Sequence, residues 1–300
     1  MSRPGTPLRY PGGKQKLTPF IAEILAENDL VGGHYVEPYA GGAGVAIELL
    51  LSGYVNNIHL NDSALPVYAF WNSVITQPES LCRMIASASL TVDEWKYRRE
   101  IVRAPEGHSE LEVGFSTLYL NRCNRSGVLT GGLIGGLSQT GKWLMDARFP
   151  RNELIRRVEV IAARAESITI HRQDAEDFVK GYVSDLPIDT FVYCDPPYFE
   201  KSNRLYLNHY RPDDHRRIAE VIQTELSRPW IVSYDNAPEI LEFYKVRRSF
   251  TYNLQYNASR AYQGREIFVF SDDVHIPRES ALANIKYGIV SAVPALSESD

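Results

Sequence analysis

His34-Tyr35-Val36-Glu37-Pro38-Tyr39-Ala40-Gly41-Gly42-Ala43-Gly44 is the stretch on which the fold turns. Four β-prone residues end on a carboxylate, and small residues then make a turn where a ligand can approach the backbone closely. Val45–Leu51 reads as a helix, Asn57–Leu60 as a second strand, and Asn61-Asp62 closes it with an acid about twenty residues after the first strand. Strand, glycine turn, helix, strand and acid form the layout of a nucleoside-binding half-sheet. A tight turn is the simpler reading of the glycines alone, but Asp62 can hold ribose hydroxyls, so the pair favours an adenosine-containing cofactor.

Outward from this unit, an amphipathic helix is predicted over 15–28 and another over Pro66–Ile75. Residues 78–122 read as helices without strands, 126–142 as a Gly/Ser/Thr-rich loop, and helical periodicity returns at Leu154–Ile161. Alternation then resumes with strands at Ser167–Ile170, Thr190–Cys194 and Trp230–Tyr234, helices at Ala175–Gly181, Pro212–Leu226 and Pro238–Tyr244, and a hairpin from Tyr252 to Phe270. The fold class is α/β, with a helical block inserted into one sheet. Residues 276–300 have little periodicity and read as a loosely attached tail.

The strongest chemical signal is Phe191-Val192-Tyr193-Cys194-Asp195-Pro196-Pro197-Tyr198. An apolar strand ends on a carboxylate, two prolines stiffen the backbone and forbid its continuation, and an aromatic ring follows. Such a platform offers one side-chain acceptor at Asp195, one carbonyl acceptor at Pro196 and one stacking face at Tyr198. That set suits an amino group on a planar base. Cys194, at the end of an apolar strand, reads as a packed thiol rather than a nucleophile. Leu8-Arg9-Tyr10-Pro11-Gly12-Gly13-Lys14 is not a phosphate loop, because Gln15 follows the lysine and Pro7 precedes the segment.

Bulk composition sets limits. With 44% hydrophobic and 23% charged residues, the chain can build a sizeable core without staples. Its three cysteines show no CxxC spacing and its histidines no HExxH, so neither disulfides nor a metal are expected. No signal peptide or membrane span is read, and a soluble cytoplasmic protein is expected. The formal charge of −5 hides a segregation. Residues 115–157 hold Arg122, Arg125, Lys142, Arg148, Arg151, Arg156 and Arg157 against Asp146 and Glu153, and the first sixteen residues hold basic groups with no acid. A polyanion on one face would explain it, as would a solvated surface.

Taken in order, Arg9-Tyr10-Pro11-Gly12-Gly13-Lys14, Glu37 to Gly44, Asn61-Asp62 and Asp195-Pro196-Pro197-Tyr198 resemble the DNA adenine methylase family of the D12 class. Weaker echoes are Tyr119-Leu120-Asn121-Arg122, Asp214-His215, Trp230 to Tyr234 and Arg265-Glu266-Ile267, so the likeness covers roughly residues 8–270. The resemblance implies a Rossmann-like class I methyltransferase sheet from 1–75 and 160–275, a mainly helical target-recognition domain at 76–159, S-adenosyl-L-methionine as cofactor and double-stranded DNA as partner. It implies a monomer or weak dimer, and leaves open a partner nuclease in a restriction-modification role. Tyr10 and Lys14 match cofactor-pocket positions. Glu37, Pro38, Tyr39, Gly41 and Gly44 match the turn around the methionine part, and Asp62 the ribose acceptor. Asp174 matches an acid near the cofactor adenine, although a helix N-cap is an equal alternative. Asp195, with Pro196, Pro197 and Tyr198, matches the catalytic motif between cofactor and a flipped-out adenine. Asn121, Arg122, Arg125, Lys142 and Arg148 are the candidate DNA contacts.

The middle departs from the family pattern: Asn121-Arg122-Cys123-Asn124-Arg125-Ser126-Gly127 is followed by Gly131-Gly132-Leu133-Ile134-Gly135-Gly136, so the family's target sequence does not transfer. Asp at 195 argues against amide methylation, which resembling families perform with Asn-Pro-Pro-Tyr. Cytosine N4 methylation, usually Ser-Pro-Pro-Tyr, is the alternative enzyme reading. RNA as substrate and a catalytically silent DNA-binding or assembly subunit are the others.

Overall fold

The computed structural model describes residues 5–9, 14–199, 210–257, 261–277 and 291–293. A single sheet organises them. Its strands are β1 (His34–Glu37), β2 (Asn57–Asn61), β3 (Ile168–His171), β4 (Thr190–Cys194), β5 (Trp230–Asp235), β6 (Arg248–Asn257), β7 (Ala261–Phe270) and β8 (Ser291–Val293). They lie in the order β3-β2-β1-β4-β5-β7-β6-β8. The first five are parallel, and β7, β6 and β8 are antiparallel additions on the β5 side. This is the Rossmann-like α/β sheet expected. The strand order reverses between β1 and β4, and ligands bind at such a switch point, in the crevice outside the carboxyl ends of the strands.

Both faces of the sheet are covered, which explains why β4 and β5 are buried at every position rather than at alternate ones. Tyr35, Phe191, Tyr193 and Ile231 point into one core, and Val36, Val192, Cys194, Trp230 and Val232 into the other. The second core is closed by α8 (Ala175–Gly181), α9 (Pro212–Glu225) and α10 (Pro238–Phe243). The first takes α1 (Thr18–Glu27), α2 (Gly44–Leu51) and α3 (Leu65–Thr76), and runs on without a break into the helical insertion.

The insertion consists of α4 (Pro78–Ser87), α5 (Val92–Arg103), α6 (Glu110–Cys123) and α7 (Arg151–Ala162). Its centre is α6, capped by a Ser109–Glu112 box and buried all round from Val113 to Cys123. Close packing of α6 on α3 needs Gly114, where a Cβ would lie 2.6 Å from the Ala69 carbonyl oxygen. Within the expected tail, 276–300, the described β8 pairs with β6 through Ser249–Val293, Phe250–Ala292 and Thr251–Ser291. A three-residue edge strand is too short for its periodicity to show in the sequence.

Candidate active site

The β1–α2 turn is held by acids at both ends. Glu37 Oε1 accepts from the Ala46 amide (3.1 Å), in the first turn of α2, and from the Tyr35 hydroxyl (3.2 Å). Burial nevertheless pushes its carboxyl up to about 8. Pro38 is buried, and its carbonyl accepts from Asn61 Nδ2. The backbone turns through the left-handed region at Gly41 (φ 46°) and Ala43 (φ 44°). Only the first of these has the residue type that takes this conformation at no steric cost.

Asp62, at the carboxyl end of β2, accepts from the Gly41 amide at 3.0 Å and from the Ala64 amide at 3.0 Å. Burial pushes its pKa up to about 6, the two amide donors opposing the rise. The structure thus brings Glu37, Pro38, Gly41, Gly44 and Asp62 together. Tyr39 borders the same turn, its hydroxyl 3.1 Å from that of Tyr210. Asp174 is exposed and caps α8 by accepting from the Glu176 amide at 2.8 Å, so the N-cap alternative is what is seen. Tyr10 lies outside the described residues.

Next to this turn, beyond the end of β4, sits a charge cluster. Lys14 Nζ is 2.6 Å from Glu266 Oε2 and 3.2 Å from Asp195 Oδ1. Ser233 donates to Asp195 Oδ1 at 2.6 Å, and its oxygen lies 2.8 Å from the Tyr193 hydroxyl. Glu266 also accepts from the hydroxyls of Tyr198 (2.6 Å) and Tyr252. The two acids differ in access: 23% of the Asp195 side chain is exposed against 2% of Glu266. Of the two acids around Lys14, Asp195 is therefore the one a substrate can reach.

Their electrostatics follow. Burial raises Asp195, with Lys14 pulling it back. Burial also pushes Glu266 up, but the Lys14 ammonium and the two tyrosine hydroxyls outweigh it and hold that carboxyl below the usual range. Lys14 is driven down by burial and more than restored by Asp195 and Glu266. One cation between two carboxylates leaves the cluster with a net charge of about −1.

Sequence reasoning missed Glu266, Ser233 and Tyr252 as site residues. A signal existed, for Glu266 is an acid directly before the apolar run Ile267-Phe268-Val269-Phe270, and Tyr252 is its cross-strand partner on β6. Tyr198 was read as an open stacking face. The structure shows a ring 2% exposed, held by its hydroxyl on Glu266 and crossed by Lys14 Nζ at 5.4 Å from its centroid. Pro196 and Pro197 are buried, and the chain after them is fixed by the Phe199 amide donating to Asp235 at 2.8 Å.

A model of the D12 class N6 adenine-specific DNA methyltransferase family matches residues 10–258, which contain the β1–α2 turn, Lys14 and Asp195 but stop short of Glu266. The chain belongs to this family. It is an adenine-specific DNA methyltransferase, with DNA as its substrate and a methyl donor as its cofactor. No curated protein matches it. Among solved structures it is similar to an rRNA methyltransferase, aviRa from Streptomyces viridochromogenes, at 13% identity, 91% of this chain, 89% of that chain and a TM-score of 0.39. Protein LPL1258 from Legionella pneumophila str. Philadelphia 1 is similar at 8% identity, 92% of this chain, 90% of that chain and a TM-score of 0.38.

The methyltransferase's candidate DNA contacts divide. Arg125, Lys142 and Arg148 are exposed. Asn121 and Arg122 require correction, because the last turn of α6 lies beneath the N-terminal segment rather than at the surface. Asn121 accepts from the Arg9 amide (2.7 Å) and donates to the carbonyls of Arg9 (2.6 Å) and Gly127 (2.9 Å). Arg122 is 7% exposed and directs its guanidinium at the Pro7 carbonyl, with Nε at 2.7 Å. Burial, then the charges of Arg157, Arg9 and Arg148, bring it down to about 9. Both residues hold the segment that leads to Lys14. Cys194 is buried and its thiol is pushed well up by burial, so it is no nucleophile. Among the described residues no group of metal-ligating side chains occurs, and no helix is long and apolar enough to cross a membrane.

Proposed function

We propose that this methyltransferase moves a methyl group from S-adenosyl-L-methionine to the N6 amino group of an adenine flipped out of duplex DNA. The observation that carries the reading is the partly exposed Asp195, backed by Lys14 and Glu266, at the switch point beside the β1–α2 turn. The donor set fits the cofactor. Asp62 supplies acceptors for ribose hydroxyls, and the Asp195 cluster, at about −1, supplies the counter-charge for a cation. Glu37, Pro38, Tyr39, Gly41 and Gly44 would hold the amino-acid part, with Tyr10 and Lys14 beside it. The chemistry the bound cofactor supplies is an electrophilic methyl carbon on a sulfonium.

The rest falls to the chain. Asp195 Oδ and the Pro196 carbonyl accept the two amino hydrogens, which draws the nitrogen lone pair out of conjugation with the ring. Ser233 and Lys14 fix Asp195 in place, so no reorganisation is needed as charge moves. After attack, N6 carries an extra proton, and the raised basicity of Asp195 makes it a suitable acceptor. Pro197 stiffens the platform, and Tyr198, its hydroxyl held by Glu266, anchors the end of the motif beneath it. Extrusion costs a few kcal/mol, of which base stacking returns about 1–3 kcal/mol.

The experiment has two arms. Calorimetric titration of S-adenosyl-L-methionine should give binding that Asp62→Ala weakens at least ~10-fold, the loss expected when charge-assisted hydrogen bonds are removed. A duplex with 2-aminopurine at the methylated position should brighten on binding. Absence of cofactor binding, or a dark 2-aminopurine, would contradict the corresponding half of the proposal.

A further inference from the structure

The loop from Leu133 to Met145 carries apolar surface that the fold does not use. Leu137 is 62% exposed and Trp143 67%, whereas Trp71, Trp95 and Trp230 are 1%, 4% and 2% exposed. A slack loop could fold such groups inward, but this one is built. Gln139 donates to the carbonyls of Ile134 (2.8 Å) and Gly136 (2.6 Å) and accepts from the Met145 amide (3.0 Å). Gly135 and Gly136 turn with φ of 84° and 73°, and a Cβ on Gly135 would lie 3.0 Å from the Trp143 carbonyl oxygen. Leu133 and Met145 are buried and pin the two ends.

One cation stands beside this tip, and two others flank the loop in the sequence. Lys142 Nζ lies 6.0 Å from the Trp143 ring centroid, and Arg125, Lys142 and Arg148 are exposed. A built aromatic tip with an exposed cation beside it complements a polyanion with an apolar interior. Duplex DNA has that character: phosphates outside, stacked bases within. The loop also shares a frame with the chemistry. It springs from the end of α6, where the Ile134 amide donates to the Cys123 carbonyl, and Asn121 of the same turn grips Arg9 in the segment leading to Lys14.

We infer that Trp143 enters the base stack next to the target adenine and fills the space left when that adenine is extruded, with Lys142, Arg125 and Arg148 on the flanking phosphates. The inference rests on the base-flipping reading above. A wedge acts by offsetting the cost of opening a paired, stacked site, so its removal should matter only where that cost exists.

The test uses the full chain and a duplex carrying its methylation site, mapped by sequencing N6-methyladenine in DNA exposed to the protein. Trp143→Ala should lower kcat/KM at least ~10-fold on the paired site, a loss within the cost of opening one step. On the same duplex with an abasic position opposite the target adenine, it should fall by no more than about 2-fold. Trp143→Phe, which keeps a ring, should recover most of the loss. Because the other tryptophans are buried, DNA should also shield the acrylamide-quenchable emission of the wild type. Equal losses on both duplexes, or none on either, would overturn the wedge. If wild type brightens 2-aminopurine and Trp143→Ala brightens it as much, the wedge alone fails. If wild type leaves it dark, the flipping reading fails first.

Discussion

Glu266→Gln changes one charge in the site with almost no change in shape. Breaking a buried pair by removing one partner costs about 3–5 kcal/mol. Here the cost is smaller, since Lys14 keeps Asp195 at 3.2 Å and the amide can still meet the hydroxyls of Tyr198 and Tyr252. About 2 kcal/mol is expected, a drop in Tm of about 4 °C for a chain of this size. The effect on turnover should be larger than folding explains. With Glu266 neutral the cluster goes from about −1 to zero and Lys14 is left to Asp195 alone, which weakens that carboxylate as an acceptor. A fall in kcat of about 10- to 100-fold follows, equivalent to about 1.4–2.7 kcal/mol. The sign of a second readout is fixed too. Glu266 pushes the Asp195 pKa up, so its neutralisation should move the acid limb of kcat to lower pH. The assay is radiolabelled methyl transfer to DNA at saturating substrate, at least 15 °C, as an order of magnitude, below the melting point. A variant that melts earlier but keeps kcat within about 2-fold, with an unmoved acid limb, would refute the argument that Glu266 tunes the site.

Three further outcomes follow. Asp62 titrates at about 6, so the KM for S-adenosyl-L-methionine should rise as pH falls through that value, when the protonated acid becomes a poorer acceptor; Asp62→Asn should flatten this limb, and an unchanged limb would assign it elsewhere. Arg122→Met should lower stability by about 2–4 kcal/mol in urea unfolding, because it strips a buried carbonyl of its donor, while leaving the salt dependence of DNA binding unchanged. Lys142→Ala with Arg148→Ala should do the reverse: little loss of stability, and a log-log salt slope shallower by about 2 units.

Much of the architecture was legible in residues 34–62, because a central parallel strand, its glycine turn and the acid after the next strand are local features with local causes. The end of β4 at Asp195-Pro196-Pro197 was legible for the same reason, whereas the burial of Tyr198 on Glu266 was not. What escaped was assembled at long range. Lys14 meets Glu266 across 252 positions, and Arg122 meets Pro7 across 115. No periodicity encodes either contact. The misplacement of Asn121 and Arg122 has a plain origin: α6 is buried on every side, so polar residues in its last turn serve backbone groups of the N-terminal segment instead of solvent or DNA. Glu266 could have been suspected, since an acid at the head of an apolar run in a strand needs a partner if it is buried, but the sequence does not name the partner.

The most direct measurement compares wild type with Asp195→Asn, an exchange that keeps the side chain's size and its contact with Ser233. Both proteins are incubated with tritiated S-adenosyl-L-methionine and unmethylated DNA, and the DNA is digested to nucleosides. Label in N6-methyl-2′-deoxyadenosine from wild type alone, with the variant folded and still binding the cofactor, is the expected result. Label in methylcytosine, or transfer by Asp195→Asn at a rate near that of wild type, would contradict the assignment of Asp195 as the acceptor on the adenine amino group.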